Sequence, residues 1–134
     1  EPLAIAGGTG AELPFLQGLL DPGLEERWET WVEIHPESAT ALGLRDRDWV
    51  RVQSSHGTVT VRARLTPRVV PGVAALPVGL GKRGGGRWAS GIGANPLHLL
   101  APSRDAISGL PDLGATSVEI TRVAGPERHG ERRA

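Results

Sequence analysis

The chain contains no cysteine, no methionine and no tyrosine among its 134 residues. Without cysteine there is no disulfide framework, no thiolate metal site, no Cys-held iron–sulfur cluster and no cysteine nucleophile. Excess charge is missing too. Fifteen Lys plus Arg balance fifteen Asp plus Glu, which removes the strongly basic surface that non-specific nucleic-acid or anionic-membrane binding displays. No nucleic-acid partner is expected, although a local basic patch remains open. No apolar run reaches the length of a membrane helix or a signal-peptide core, so direct membrane insertion is not expected. The chain opens on Glu1 rather than Met, and we read it as a domain of a longer polypeptide. Its length is enough for one hydrophobic core.

Glycine is plentiful where cysteine is absent. Seven of the 19 glycines fall between Gly79 and Gly93, in the stretch GLGKRGGGRWASGIG, with Lys82, Arg83, Arg87 and Trp88 among them. Glycine loses more backbone freedom on folding than any other residue, so such a run is either a mobile surface loop with solvated charges or a place where backbone must approach something closely. GKR is not a nucleoside-triphosphate loop: that motif needs Ser or Thr after the lysine to hold magnesium, and Arg83 follows Lys82. Unhindered N–H groups flanked by cations suit a polyanion such as a pyrophosphate, and Trp88 is available to stack on a flat ring. Composition alone leaves the two readings level.

Elsewhere the periodicity is that of a small β protein. Residues 1–30 lack regular patterning and read as a connecting arm. WVEI, residues 31–34, is a strand candidate, and HPESATALG after it is a short helix with Pro36 in its first turn and Gly43 at its end. Val50 and Val52 alternate with Trp49, Arg51 and Gln53, while Val59, Val61, Ala63 and Leu65 alternate with Thr60, Arg62 and Arg64. The turn SSHG joins the two as a hairpin. Pro67 and Pro71 break the sheet. VAALPV, residues 73–78, resumes as a buried strand, NPLHLLAPS suggests one helical turn, and TSVEITRV, residues 116–123, is a last strand. The charged tail, 124–134, lacks apolar anchors and is expected to be disordered. The sum is a small β-barrel over residues 31–123, with one or two short helices.

Several chemistries can be set aside. His35, His56, His98 and His129 share no ligand-like spacing with carboxylates, so structural roles suffice for them. None of the seven serines stands in a G-x-S-x-G elbow. Glu33, Glu37, Asp46 and Asp48 are conceivable acid–base groups, but Asp46 and Asp48 lie in the turn that opens a strand, where such residues bond nearby backbone amides.

Taken in order, GTGAELPFLQGLLDP, WVEIHPESATALGLRDRDWVRVQSSHGTVTVRARLTPRVVPG and GIGANPLHLL resemble the C-terminal dinucleotide-binding domain of the molybdopterin oxidoreductases, the family of dimethyl sulfoxide reductase, polysulfide reductase and formate dehydrogenase. The resemblance spans residues 8 to about 123, and its specificity lies in the order of the elements. It implies a double-psi β-barrel of the aspartate decarboxylase-like kind, covering one side of a bis(molybdopterin guanine dinucleotide) cofactor that holds molybdenum or tungsten. Gly8 and Gly10 would approach one end of that ligand. Lys82, Arg87, Trp88, Gly91, Gly93 and Asn95 would approach the pterin and pyrophosphate, with the Asn95 amide against the polar pterin edge. Catalytic and metal-ligating residues would belong to the remaining domains of the oxidoreductase subunit, with an iron–sulfur electron-transfer subunit as a further partner.

Two functions follow. In the first, the barrel binds and orients the cofactor while metal and pterin carry out the redox chemistry. In the second, the barrel is a cofactor-free structural module of a membrane-associated respiratory electron-transport complex, of the alternative complex III kind, with the glycine loop against a partner subunit. The self-processing decarboxylases that share this barrel need a Gly-Ser bond, and no glycine here precedes a serine.

Overall fold

The period-two stretches become the middle of one mixed sheet. The computed structural model describes residues 13–15, 29–84, 86–87, 90–110, 112, 114 and 116–125. Most of the expected arm and tail, the site candidates Gly8, Gly10 and Trp88, and His129 lie outside the described residues. Among the described residues the sheet has five strands: β1 (Trp31–Ile34), β2 (Trp49–Gln53), β3 (Thr58–Leu65), β4 (Ala74–Ala75) and β5 (Glu119–Arg122). A short helix, α1 (Pro36–Ala41), follows β1, and a 3₁₀ turn covers Pro96–Leu99. The protein is mainly β.

The sheet order is β4-β1-β3-β2-β5. β3 is central because it is the longest alternating run and can pair on both edges. It pairs antiparallel with β2, setting Val50 opposite Val61 and Val52 opposite Val59. On its other edge it pairs parallel with β1, setting Val32 opposite Ala63. A parallel neighbour demands a crossover, and α1 together with β2 provides it.

Alternation then decides what is buried. Val50, Val52, Val59, Val61 and Ala63 share one core with Val32 and Ile34 of β1, Ala39 of α1, Leu44, and Leu99 of the 3₁₀ turn. Each fully buried valine or leucine contributes about 1.5–3 kcal/mol relative to exposure. Because Leu99 belongs to this core, the chain leaving the glycine-rich loop is anchored to the sheet.

Local chemistry fixes the ends. His35 caps α1, its Nδ1 accepting from the Glu37 N–H at 3.2 Å, and Gly43 closes the helix at φ +65°. Asp48 Oδ2 accepts from the Arg45 N–H at 3.0 Å, and Asp46 Oδ1 reaches the N–H of Leu65, the last residue of β3, at 2.8 Å. Both aspartates hold backbone. Glu33 accepts from the Trp31 indole N–H at 3.2 Å.

Two strands are shorter than the sequence predicts. The buried strand expected over 73–78 reduces to the edge pair Ala74–Ala75, with Ala74 partly buried, Ala75 exposed and Val73 exposed as well. Pro77 has no N–H to continue the ladder, and the turn in which the Val73 N–H bonds the Val70 carbonyl delays its start. The last strand covers Glu119–Arg122 rather than 116–123, at the sheet's other edge, where only Ile120 of the four residues is partly buried.

Candidate functional site

The glycine-rich segment is a closed structure at its base. The Gly81 N–H donates to the Ile92 carbonyl at 2.8 Å, and the Gly91 N–H donates to the Lys82 carbonyl at 3.2 Å. Within the tip, the Ser90 N–H bonds the Gly86 carbonyl at 3.2 Å and Ser90 Oγ donates to the Arg83 carbonyl at 3.4 Å. Arg83 and Arg87 are exposed on this tip, and Lys82 is exposed at its edge. The base is thus closed by paired backbone groups.

Two glycines serve close packing within the protein. A Cβ on Gly81 would collide with the backbone of Ala94 and Asn95, and Gly81 also stands at φ +78°. A Cβ on Gly93 would lie 2.6 Å from Thr30 Oγ1 and 2.8 Å from Leu80 Cβ. Gly91 differs: at φ +75° its missing side chain faces open space. Of the predicted glycine pair, Gly93 turns toward the protein and Gly91 outward.

Thr30 organises this region. It is only 4% exposed, and its hydroxyl both donates to the Ala94 carbonyl at 3.0 Å and accepts from the Ala94 N–H at 2.9 Å. The residue before Asn95 is thus gripped on both backbone groups from the start of β1. Asn95 itself caps the 3₁₀ turn, its Oδ1 accepting from the Leu97 N–H at 3.1 Å. That bond fixes the amide orientation. Nδ2 has no acceptor among the described residues, so Asn95 presents its amide donor, with the second lone pair of the partly engaged Oδ1 beside it.

On the other side of Asn95, the hairpin turn holds the 3₁₀ segment. Ser54 Oγ donates to the Leu99 carbonyl at 2.7 Å while accepting from the N–H groups of His56 (3.1 Å) and Gly57 (3.2 Å). A Cβ on Gly57 would strike the His98 carbonyl. Gly57 is therefore needed for close approach, with His98 at the surface of the contact.

The structure gathers Lys82, Gly91, Gly93 and Asn95 around Thr30, Leu80 and Gly81 through the Gly91–Lys82 and Gly81–Ile92 backbone bonds, the Thr30–Ala94 pair and close packing at Gly81 and Gly93; of these, Thr30 lies outside the glycine-rich stretch and no sequence motif singles it out. Arg87 lies on the exposed tip. The signal for Thr30 is contact across 64 residues of sequence, which no local pattern carries. A separate cleft of about 490 Å³ lies at Arg47, Asp48, Trp49, Arg62, Arg122, Val123 and Ala124 and contains none of the predicted site residues. There the Arg62 guanidinium stacks 4.3 Å over the Trp49 ring and sits 3.8 Å from Glu29 Oε2, while Arg122 sits 3.8 Å from Asp48 Oδ2. Among the described residues no group of three or more His, Asp or Glu side chains is placed to hold a metal ion, and no helix is long and apolar enough to cross a membrane.

Comparison with known proteins places this geometry in a family. Residues 21–117 match the family model described as "Molydopterin dinucleotide binding domain". The molybdopterin-binding-like subunit of menaquinone reductase from Nitratidesulfovibrio vulgaris is 33% identical over 102 residues, covering 72% of this chain and 15% of that protein. The alpha subunit of F420-dependent formate dehydrogenase from Methanocaldococcus jannaschii is 30% identical over 100 residues, 75% of this chain and 13% of that protein. The molybdopterin-containing subunit of arsenate respiratory reductase from Chrysiogenes arsenatis is 33% identical over 112 residues, 77% of this chain and 13% of that protein. Acetylene hydratase from Pelobacter acetylenicus shares the fold, with a TM-score of 0.59 over 70% of this chain and 14% of that one at 22% identity. The chain thus spans no more than 15% of the length of these relatives.

Proposed function

This chain belongs to the molybdopterin dinucleotide-binding domain family, and from that membership we propose that residues 91–95 seat the dinucleotide cofactor of a molybdenum or tungsten oxidoreductase. The domain would cover one side of bis(molybdopterin guanine dinucleotide), the rest of a longer subunit covering the other. The observation that carries this reading is the clamped Asn95: its backbone is held through Ala94 by Thr30, its Oδ1 accepts from the Leu97 N–H, and Nδ2, with no acceptor among the described residues, is turned to a ligand acceptor.

The residues present fit such a guest. An outward-facing Gly91 leaves room for a flat ring to approach backbone, and Lys82, Arg83 and Arg87 around the tip favour a diphosphate. When bound, the cofactor supplies the metal-centred redox or oxygen-transfer chemistry. This chain's residues bind and orient: Asn95 donates to a carbonyl or ring acceptor, and the cations offset phosphate charge. Preorganisation by Thr30 and Ser54 means little ordering is left for the moment of binding.

The five-stranded mixed sheet with a parallel β1–β3 pair is the kind of arrangement a double-psi barrel contains, and we assign that topology to the whole domain. An iron–sulfur subunit would accept or deliver electrons for the parent enzyme. The cofactor-free structural reading is not favoured, since the family match and the relatives' molybdopterin-named subunits point to cofactor binding.

The experiment is cofactor content of the parent protein carrying Asn95→Ala. The expected result is lower pterin occupancy with an unchanged fold by circular dichroism. Unchanged occupancy removes Asn95 from the site.

A further inference from the structure

Beyond Asn95 the described residues 103–110 and 112 form a loop closed by many internal hydrogen bonds although it is exposed. Asp105 Oδ1 accepts from the Ile107 N–H at 3.1 Å, the Ser108 N–H at 2.7 Å and the Ser108 hydroxyl at 2.8 Å. The Asp105 N–H donates to the Leu110 carbonyl and the Gly109 N–H to the Asp105 carbonyl, both at 2.9 Å. Arg104 Nη1 donates to the Gly109 carbonyl at 3.1 Å, and the Asp112 N–H closes on the Ser103 carbonyl at 3.0 Å. Gly109 sits at φ +70°, the left-handed conformation that lets the chain turn back. Each of these bonds lies inside the loop.

Among its exposed polar residues this framework displays two large apolar side chains. Ile107, at its tip, is 97% exposed, and Leu110 at its base is 65% exposed. Leu97, on the 3₁₀ turn just after Asn95, is 51% exposed. A solvent-facing loop is ordinarily polar and loose. A rigid one that holds a bare isoleucine outward has its ordering cost met before any partner arrives, which is the arrangement that favours docking.

We propose that the 103–112 loop is a preformed docking knob, and that Ile107, with Leu110 beside it, inserts into an apolar recess on the remaining polypeptide of the same subunit. This rests on the reading of the chain as one domain of a longer molybdopterin subunit. Two observations choose that occupant. The matched relatives are several times longer than this chain, which covers 15% and 13% of two of them, so a large body of polypeptide must seat against the domain. In sequence the knob also follows within about ten residues of 95–99, the edge proposed above to face the cofactor. Inter-domain contacts of this kind bury on the order of 600–1,500 Å², and one rigid apolar anchor fixes their register.

The test uses the full-length subunit carrying Ile107→Cys, with alkylation at that site followed by peptide mass spectrometry and compared with the same protein unfolded in urea. The expected result is labelling slowed by at least about tenfold in the native subunit, independent of protein concentration, as for a side chain that reacts only on local opening. Native and unfolded rates within about twofold of each other overturn the proposal. So does protection that rises with protein concentration, which assigns the knob to a second copy, or protection that requires another subunit. Pterin content measured on the same sample reports separately on the cofactor reading: a subunit without pterin but with a protected thiol at position 107 would lose the first claim and keep the second.

Discussion

Thr30 holds Ala94 by both backbone groups: one hydroxyl donates to its carbonyl at 3.0 Å and accepts from its N–H at 2.9 Å across 64 residues of sequence. This pairing ties the first strand to the segment that presents Asn95. Thr30→Val keeps the shape and removes both bonds, leaving two part-buried backbone groups unpaired. The expected loss is about 1–3 kcal/mol of stability in denaturant unfolding, together with faster exchange of the Ala94 amide. Thr30→Ser retains the hydroxyl and should restore most of both. Equal exchange at Ala94 in the native protein and in Thr30→Val would show that the clamp does not order the segment.

The glycines of this region should separate into packing and solvent positions. Gly93→Ala drives a methyl against Thr30 Oγ1 and Leu80, and Gly81→Ala drives one into the backbone of Ala94 and Asn95. Each should cost about 1–3 kcal/mol or more, because backbone and a buried leucine must shift. Gly91→Ala meets no atom but stands at φ +75°, so it should cost about 1–2 kcal/mol from conformation alone. Gly84 has neither clash nor positive φ, and Gly84→Ala should be neutral in thermal unfolding.

The strands and the site differ in how legible they are in the sequence. β1, α1 and the β2–β3 hairpin follow from period-two alternation, a proline in the first helical turn and a glycine at the end, all short-range signals. VAALPV is apolar and predicts a longer β4, yet Pro77 withholds a donor and the pairing stops at Ala75. Thr30, Ser54 and Gly57 carry no local mark of a role at the site, because their partners, Ala94, Leu99 and His98, are brought near only by the finished fold. Gly57 reads as a turn residue in the sequence, whereas its use in the structure is to admit the His98 carbonyl.

Acid should loosen the 103–112 loop before it unfolds the sheet. Hydrogen bonds from the Ser108 N–H, the Ser108 hydroxyl and the Ile107 N–H hold the Asp105 carboxyl below its ordinary value of 3.8. A depressed folded-state value means the stabilisation is fully present above the unfolded value and fades as pH falls through the folded one. The loop should thus stay ordered at neutral pH and lose protection only below about pH 4. Amide chemical shifts of Ile107 and Ser108 followed against pH would show this, and Asp105→Asn should weaken the loop at neutral pH and remove its acid dependence. A loop whose shifts do not move on acidification would contradict the assigned bonds.

The Ser54 bridge offers a test of how the 3₁₀ turn is placed. Ser54→Ala removes the donor to the Leu99 carbonyl and the acceptor for two turn N–H groups. The expected cost is about 1–3 kcal/mol, read in urea unfolding, with increased exchange at His98 and Leu100. An unaltered midpoint would mean that the Leu99 side chain alone seats the turn.

Whether this domain seats a molybdopterin dinucleotide is decided on the unaltered parent protein, by acid release, oxidation, and assay of pterin fluorescence, guanine nucleotide, molybdenum and tungsten. A seated bis(molybdopterin guanine dinucleotide) should yield a fluorescent pterin and guanine nucleotide in comparable amounts, two of each per metal atom. A folded, full-length preparation, made in a host that inserts this cofactor, that yields neither pterin nor guanine nucleotide would contradict it.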